Sequence, residues 1–168
     1  LSIRRQRQMC IRDSYTSTEK HALQTNTYTV NVKTGKRRLL DNGRGYHSPS
    51  LSPSGAFIVD KYSEPTVPRN IEIINTANGK RTQYFEAADP WKGYQVPTFT
   101  CGTLKAADGT TDLYYRMVKP ANFDENKKYP LVLYVYGGPH AHNVDARWHY
   151  ASRSWETYMA QKGYILLI

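Results

Sequence analysis

Two stretches of this chain follow one plan, and their spacing constrains the fold more than any other feature. "TYTVNVKTGKRRLL" (residues 27–40) reads as an alternating strand, a Thr-Gly turn and a second strand. "NIEIINTANGKRTQYF" (residues 70–85) repeats it, with Asn78-Gly79 as the turn. Alternation of period two places one set of side chains inward and the other outward. An Asn-Gly pair between two such runs predicts a hairpin, because both turn positions tolerate positive φ. Gly35 and Gly79 stand 44 residues apart (35 to 79).

That interval falls within the roughly 40 to 50 residues of one four-stranded propeller blade. Between the hairpins, "HSPSLSPSGAFIVDKYS" supplies a Ser-Pro-Ser-Gly turn at residues 52–55 feeding a strand over residues 56–62. A blade buries its faces only against its neighbours, so two blades imply others upstream. A plain antiparallel sandwich satisfies the same pattern and stays open as the alternative. After "EAADPWKGYQVP" the texture changes, and Pro90, Gly93 and Pro97 mark a boundary near Tyr94. Residues 15–94 are thus expected to form propeller blades, and residues 95–168 a second unit.

The second unit opens with a long hairpin around Asp108-Gly109, residues 99–104 facing residues 113–118. In "YPLVLYVYGGPH" (residues 129–140) the apolar residues Leu131, Val132, Leu133 and Val135 are nearly continuous, which predicts a strand covered on both faces, as in an α/β sheet. "SRSWETYMAQKG" spaces Trp155, Tyr158 and Met159 as a helix, with Ser152 or Ser154 as N-cap and Gly163 just past its end. Residues 164–168 begin another strand. Hairpin, strand, helix, strand is the opening of an α/β domain.

The net charge of +9 raises the question of nucleic acid. "LSIRRQRQMCIRDS" contributes +3 of it through Arg4, Arg5, Arg7 and Arg12 against Asp13. This string resembles a translated sequencing adapter, so residues 1–14 are expected to be non-native or disordered; a basic arm and an ordinary solvated segment are the alternatives. Elsewhere Lys and Arg are scattered through turns, which gives no nucleic-acid surface. Mean hydropathy is −0.68, and no apolar run approaches the roughly 18 residues of a membrane helix. Cys10 and Cys101 show neither metal spacing nor a disulfide framework. His140 and His142 form H-x-H with no third ligand patterned nearby, so no metal is expected, and no cofactor either.

"KKYPLVLYVYGGPHAHNV" with the following helix and "KGYILL", preceded by "LYYRMVKPANFD" and the hairpins, resembles the prolyl oligopeptidase family of serine peptidases, in its dipeptidyl peptidase IV branch of bacterial type. The resemblance implies the last blades of a β-propeller followed by the first strands and helix of an α/β-hydrolase domain. It implies release of N-terminal dipeptides with Pro or Ala at the penultimate position. A prolyl endopeptidase or acylaminoacyl peptidase of the same family, or a non-catalytic propeller binding module, are the alternatives. One family catalytic position lands here: Tyr136, whose phenol is one donor of the oxyanion hole, with Gly137 and Gly138 leaving room for substrate. The triad serine belongs to a G-x-S-x-G elbow with Asp and His after it. No such elbow occurs in these 168 residues, so the chain is expected to be an inactive internal fragment, poorly folded alone. A peptide substrate, a homodimeric parent and export to the periplasm or beyond complete the expectations. Around this site Asp145 and Arg147 read as a surface loop, Trp148 and Trp155 as core packing, and Glu64 as a turn residue. Tyr62, Tyr84 and Tyr94 read as blade or linker packing.

Overall fold

The structure, a computed structural model, describes residues 12–138, 143–148 and 154–168. It is mostly sheet with a single short helix among these residues. Strands β1 (Arg12–Ser17), β2 (Asn26–Asn31) and β3 (Arg37–Leu39) form an antiparallel three-stranded sheet. Strands β4 (Tyr46–Leu51), β5 (Phe57–Glu64), β6 (Val67–Asn75) and β7 (Arg81–Phe85) form a four-stranded antiparallel meander. Residues 12–14, read from sequence as part of a disordered start, instead pair with β2, Asp13 opposite Val30 and Ser14 opposite Thr29. Charge does not prevent this, because the ladder uses backbone groups and only Tyr15 need pack, stacking on Tyr28 at 5.5 Å. Arg4, Arg5, Arg7, Cys10, Pro139, His140, His142 and Ser152 lie outside the described residues.

The two repeated hairpins close in the same way, and not as two-residue turns. Asn31 and Asn75 each accept the N–H of the glycine four residues on, Gly35 and Gly79, at 2.8 Å. Their side-chain oxygens accept further N–H groups, from Lys33 and Thr34 in the first and Ala77 and Asn78 in the second. Only the glycines take positive φ, 70° at Gly35 and 76° at Gly79; Asn78 does not. The asparagine one turn earlier organises the loop, so the turn needs one left-handed residue instead of two. The sheets also touch: the Arg38 guanidinium donates to the Thr76 carbonyl at 2.5 Å and the Ala77 carbonyl at 3.2 Å.

The third sheet has the order β10-β11-β9-β8, formed by β8 (Thr98–Lys105), β9 (Asp112–Lys119), β10 (Leu131–Leu133) and β11 (Ile165–Leu167). Its hairpin pairs Phe99 with Val118 and Leu104 with Leu113. The Asp108 carboxylate accepts the Thr110 and Thr111 N–H groups and the Thr111 hydroxyl, which pulls its pKa down to about 2. Strands β10 and β11 run parallel, joined through helix α1 (Ser154–Gln161). Gly163 follows α1 with φ 89°, and its N–H bonds the Ala160 carbonyl.

The core unites Leu23, Val118, Val144, Ala160, Leu166 and Ile168, with Phe99, Cys101, Val132 and Met159 against it. The expectation of a doubly covered β10 is not met. Val132 packs inward, but Leu131 and Leu133 are 57% and 60% exposed, because among the described residues only the helix side of β10 is covered. The segment 143–148 likewise differs from the expected surface loop. Val144 is buried, the Ala146 N–H donates to the Leu23 carbonyl at 2.7 Å, and Arg147 stacks 4.0 Å over Tyr46 while pairing with Asp145. Trp148 donates its backbone N–H to the Ser63 hydroxyl at 3.2 Å. This segment therefore fastens the third sheet to the first two. Trp155 is half-exposed, edge-on to Tyr134, and is not core; Tyr84 and Tyr94 are exposed, since β7 is an edge and the linker carries only the Trp91 ring.

Candidate active site

Strand β10 carries the chain toward Tyr136. Pairing continues one residue past it, where the Tyr134 N–H donates to the Leu167 carbonyl at 2.8 Å. Beyond that point the chain leaves the sheet, and Tyr136 stands 47% exposed at the carboxyl end of a parallel strand. Its neighbours differ in what they face. A methyl built on Gly137 would meet nothing within 4 Å. One built on Gly138 would lie 2.6 Å from the Tyr136 hydroxyl oxygen, 2.7 Å from Cζ and 3.0 Å from Cε1. The phenol ring thus lies over Gly138, and its O–H, a single donor, sits in the loop that follows the strand. Gly137 and Gly138 take ordinary backbone angles and contribute space.

The protein also holds two buried charge constellations, and sequence reasoning overlooked both. Arg116 on β9 meets Glu156 on α1 through one guanidinium nitrogen, 2.6 Å and 2.8 Å from the two carboxylate oxygens. Both side chains are buried. The same guanidinium reaches the Asn143 carbonyl at 3.5 Å. The signal was present: Arg116 shares the inward parity of Val118, and Glu156 precedes buried Ala160 by one turn.

The second constellation lies between the first two sheets. His47 Nδ1 contacts Asp60 Oδ2 at 2.6 Å, and its Nε2 faces the Arg44 carbonyl at 2.8 Å and Asn42 Oδ1 at 3.1 Å. Tyr62 stacks on the imidazole at 5.2 Å. Asp41, 3.8 Å from His47, accepts the Thr27 N–H, the Asn26 amide and the Gly43 N–H. Burial, the largest influence on His47, opposes its charge, yet Asp60, Asp41 and the Arg44 carbonyl together hold its pKa above 6.5. The in-out alternation of β5 already placed Asp60 beside Ile58 and Tyr62 on the inner face. Glu64, read from sequence as a turn residue, instead ends β5 with its side chain only 16% exposed, accepting from Asn42 at 3.2 Å and pairing with Arg44 at 3.7 Å.

Among the described residues no three His, Cys, Asp or Glu side chains are grouped to hold a metal ion. A cavity of about 220 Å³ lined by Thr29, Asn31, Thr34, Lys36 and Arg38 lies on the β2–β3 hairpin, away from Tyr136. Burial raises the pKa of the Cys101 thiol. No described helix is long and apolar enough to cross a membrane.

Residues 12–69 match the family described as the dipeptidyl peptidase IV N-terminal region. Dipeptidyl peptidase 4 of Trichophyton equinum is 30% identical over 141 residues, covering 80% of this chain and 18% of that protein. A sequence assigned as dipeptidyl peptidase 4 in Aspergillus clavatus is 32% identical over 165 residues, 95% of this chain and 21% of its own length. A crystal structure assigned as a dipeptidyl aminopeptidase IV from Bacteroides ovatus superposes with a TM-score of 0.80 at 43% identity, over 93% of this chain and 22% of that one.

The chain belongs to the dipeptidyl peptidase IV branch of the prolyl oligopeptidase family. Porphyromonas gingivalis dipeptidyl peptidase 4 shares its fold, with a TM-score of 0.82 at 24% identity over the same share of each chain. This family member spans about a fifth of the length of the relatives it matches. The family match covers β1 to β5 and the start of β6, ahead of the sheet that carries Tyr136.

Proposed function

We propose that this chain is part of a serine dipeptidyl peptidase that releases N-terminal dipeptides from peptides. In this reading β1–β7 are the last blades of a β-propeller and residues 95–168 open an α/β-hydrolase domain. The consecutive meanders with identical Asn–Gly turns support the first half. The parallel β10–α1–β11 crossover supports the second, since such crossovers build α/β sheets whose ligands sit beyond the carboxyl ends of the strands. The observation that carries the reading is Tyr136, exposed at the end of β10 beside two residues without side chains.

Acyl transfer places negative charge on the scissile carbonyl oxygen as a serine attacks it, and catalysis requires a donor aimed where that charge develops. Tyr136 supplies one O–H, and Gly137 leaves the approach open. The nucleophile belongs to a G-x-S-x-G elbow, which does not occur among these 168 residues, so the chain alone contributes half of the oxyanion hole and no triad. The test is Tyr136→Phe in the full-length enzyme with a chromogenic Xaa-Pro amide. Turnover should fall by roughly 10²–10³ with KM little changed. Turnover near the wild-type value would refute the role.

A further inference from the structure

We propose that Gly138 is a positioning residue for the Tyr136 hydroxyl: the absence of a side chain at 138 is what lets the phenol lie where it does. The inference rests on the oxyanion reading and assigns a cause to its geometry. Backbone conformation does not separate the two glycines, because neither takes positive φ and neither is needed for a left-handed turn. What separates them is the ring. A methyl on Gly137 meets open space, whereas one on Gly138 would press on Oη, Cζ and Cε1 of Tyr136 at 2.6, 2.7 and 3.0 Å.

The same packing occurs once more, in the third sheet's hairpin. Gly102 stands opposite Tyr115, and a methyl there would lie 2.6 Å from the Tyr115 hydroxyl oxygen. At position 136 the ring packed in this way is half-exposed. Ordinary contact begins near 3.4 Å, so alanine at 138 would drive the hydroxyl off by something under an ångström. The atoms in the way are the far end of a side chain, so the ring yields and the backbone stays. Misplacement on that scale costs about 10²-fold at a catalytic donor.

A four-member cycle in the full-length enzyme tests this: wild type, Tyr136→Phe, Gly138→Ala and the double variant, each assayed with a chromogenic Xaa-Pro amide and melted. Gly138→Ala should lower kcat about 10- to 100-fold with KM within about twofold and an unchanged melting temperature. In the Tyr136→Phe background the same substitution should cost less than about threefold, because the hydroxyl it displaces is gone. Equal losses in both backgrounds would mean a general structural role and overturn the inference. So would wild-type kcat in Gly138→Ala while Tyr136→Phe is impaired, or a Gly138→Ala enzyme that does not fold. Normal turnover in Tyr136→Phe would instead remove the oxyanion reading, and the positioning role with it.

Discussion

The β4–β7 sheet and the β8–β11 sheet both bury charge, and they do so with chemistries that respond differently to pH. In the first, His47 sits between Asp60 and Asp41, which hold its pKa above the usual imidazole value, so its charge depends on pH. In the second, Arg116 grips Glu156, and a guanidinium keeps its proton throughout. The contrast places the conditional lock where two sheets meet and the unconditional one under the helix that joins β10 to β11.

The largest effect should come from breaking the Arg116–Glu156 pair on one side. Arg116→Ala or Glu156→Ala in the full-length protein should cost about 3–5 kcal/mol, because each leaves a buried charge without its partner. Replacing both together with Met and Leu should restore most of that, as read by denaturant midpoints. A single variant of wild-type stability would erase the distinction between the two sheets. Tyr136→Phe should come next, losing roughly 10²–10³ in kcat with no loss of stability, since the ring is half-exposed. A large drop in melting temperature would make Tyr136 a packing residue.

The His47 contribution should be smaller and directional. Its folded pKa is raised, so the stabilisation is complete below about 6.5 and disappears as pH climbs through the folded value. The stability difference between wild type and His47→Gln should therefore shrink as pH rises above about 6.5 through the folded pKa. A difference that grows as pH rises would reverse the assignment of the charged form. The smallest effects belong to the turns. Gly79→Ala and Gly109→Ala force alanine to φ 76° and 70° and should each cost about 1–2 kcal/mol. Clearly unequal costs would show that the two sheets do not ask the same of their hairpins.

Much of this was legible in the residues. The alternation of 70–75 and the glycines at 35 and 79 specify strands and turns through neighbours alone, and the pairing of Phe99 with Val118 follows from the turn at Gly109. The buried charges were half legible: parity placed Asp60 and Arg116 on inner faces, but parity does not say what stands opposite. Continuous apolarity misled at β10, because a run of Leu and Val specifies what a strand could bury and not what arrives to cover it.

Sequence by itself determined the meanders, the positions of their turns, the strand-helix-strand order and the candidacy of Tyr136. All of these rest on interactions within a few residues or on a motif with fixed spacing. Only the tertiary structure decided that Arg116 meets Glu156 forty residues on, that segment 143–148 clasps the first two sheets, and that the Tyr136 ring lies on Gly138. The first two are contacts between distant segments, and the third is a choice of rotamer. Such choices depend on how the whole chain packs, which no local pattern encodes.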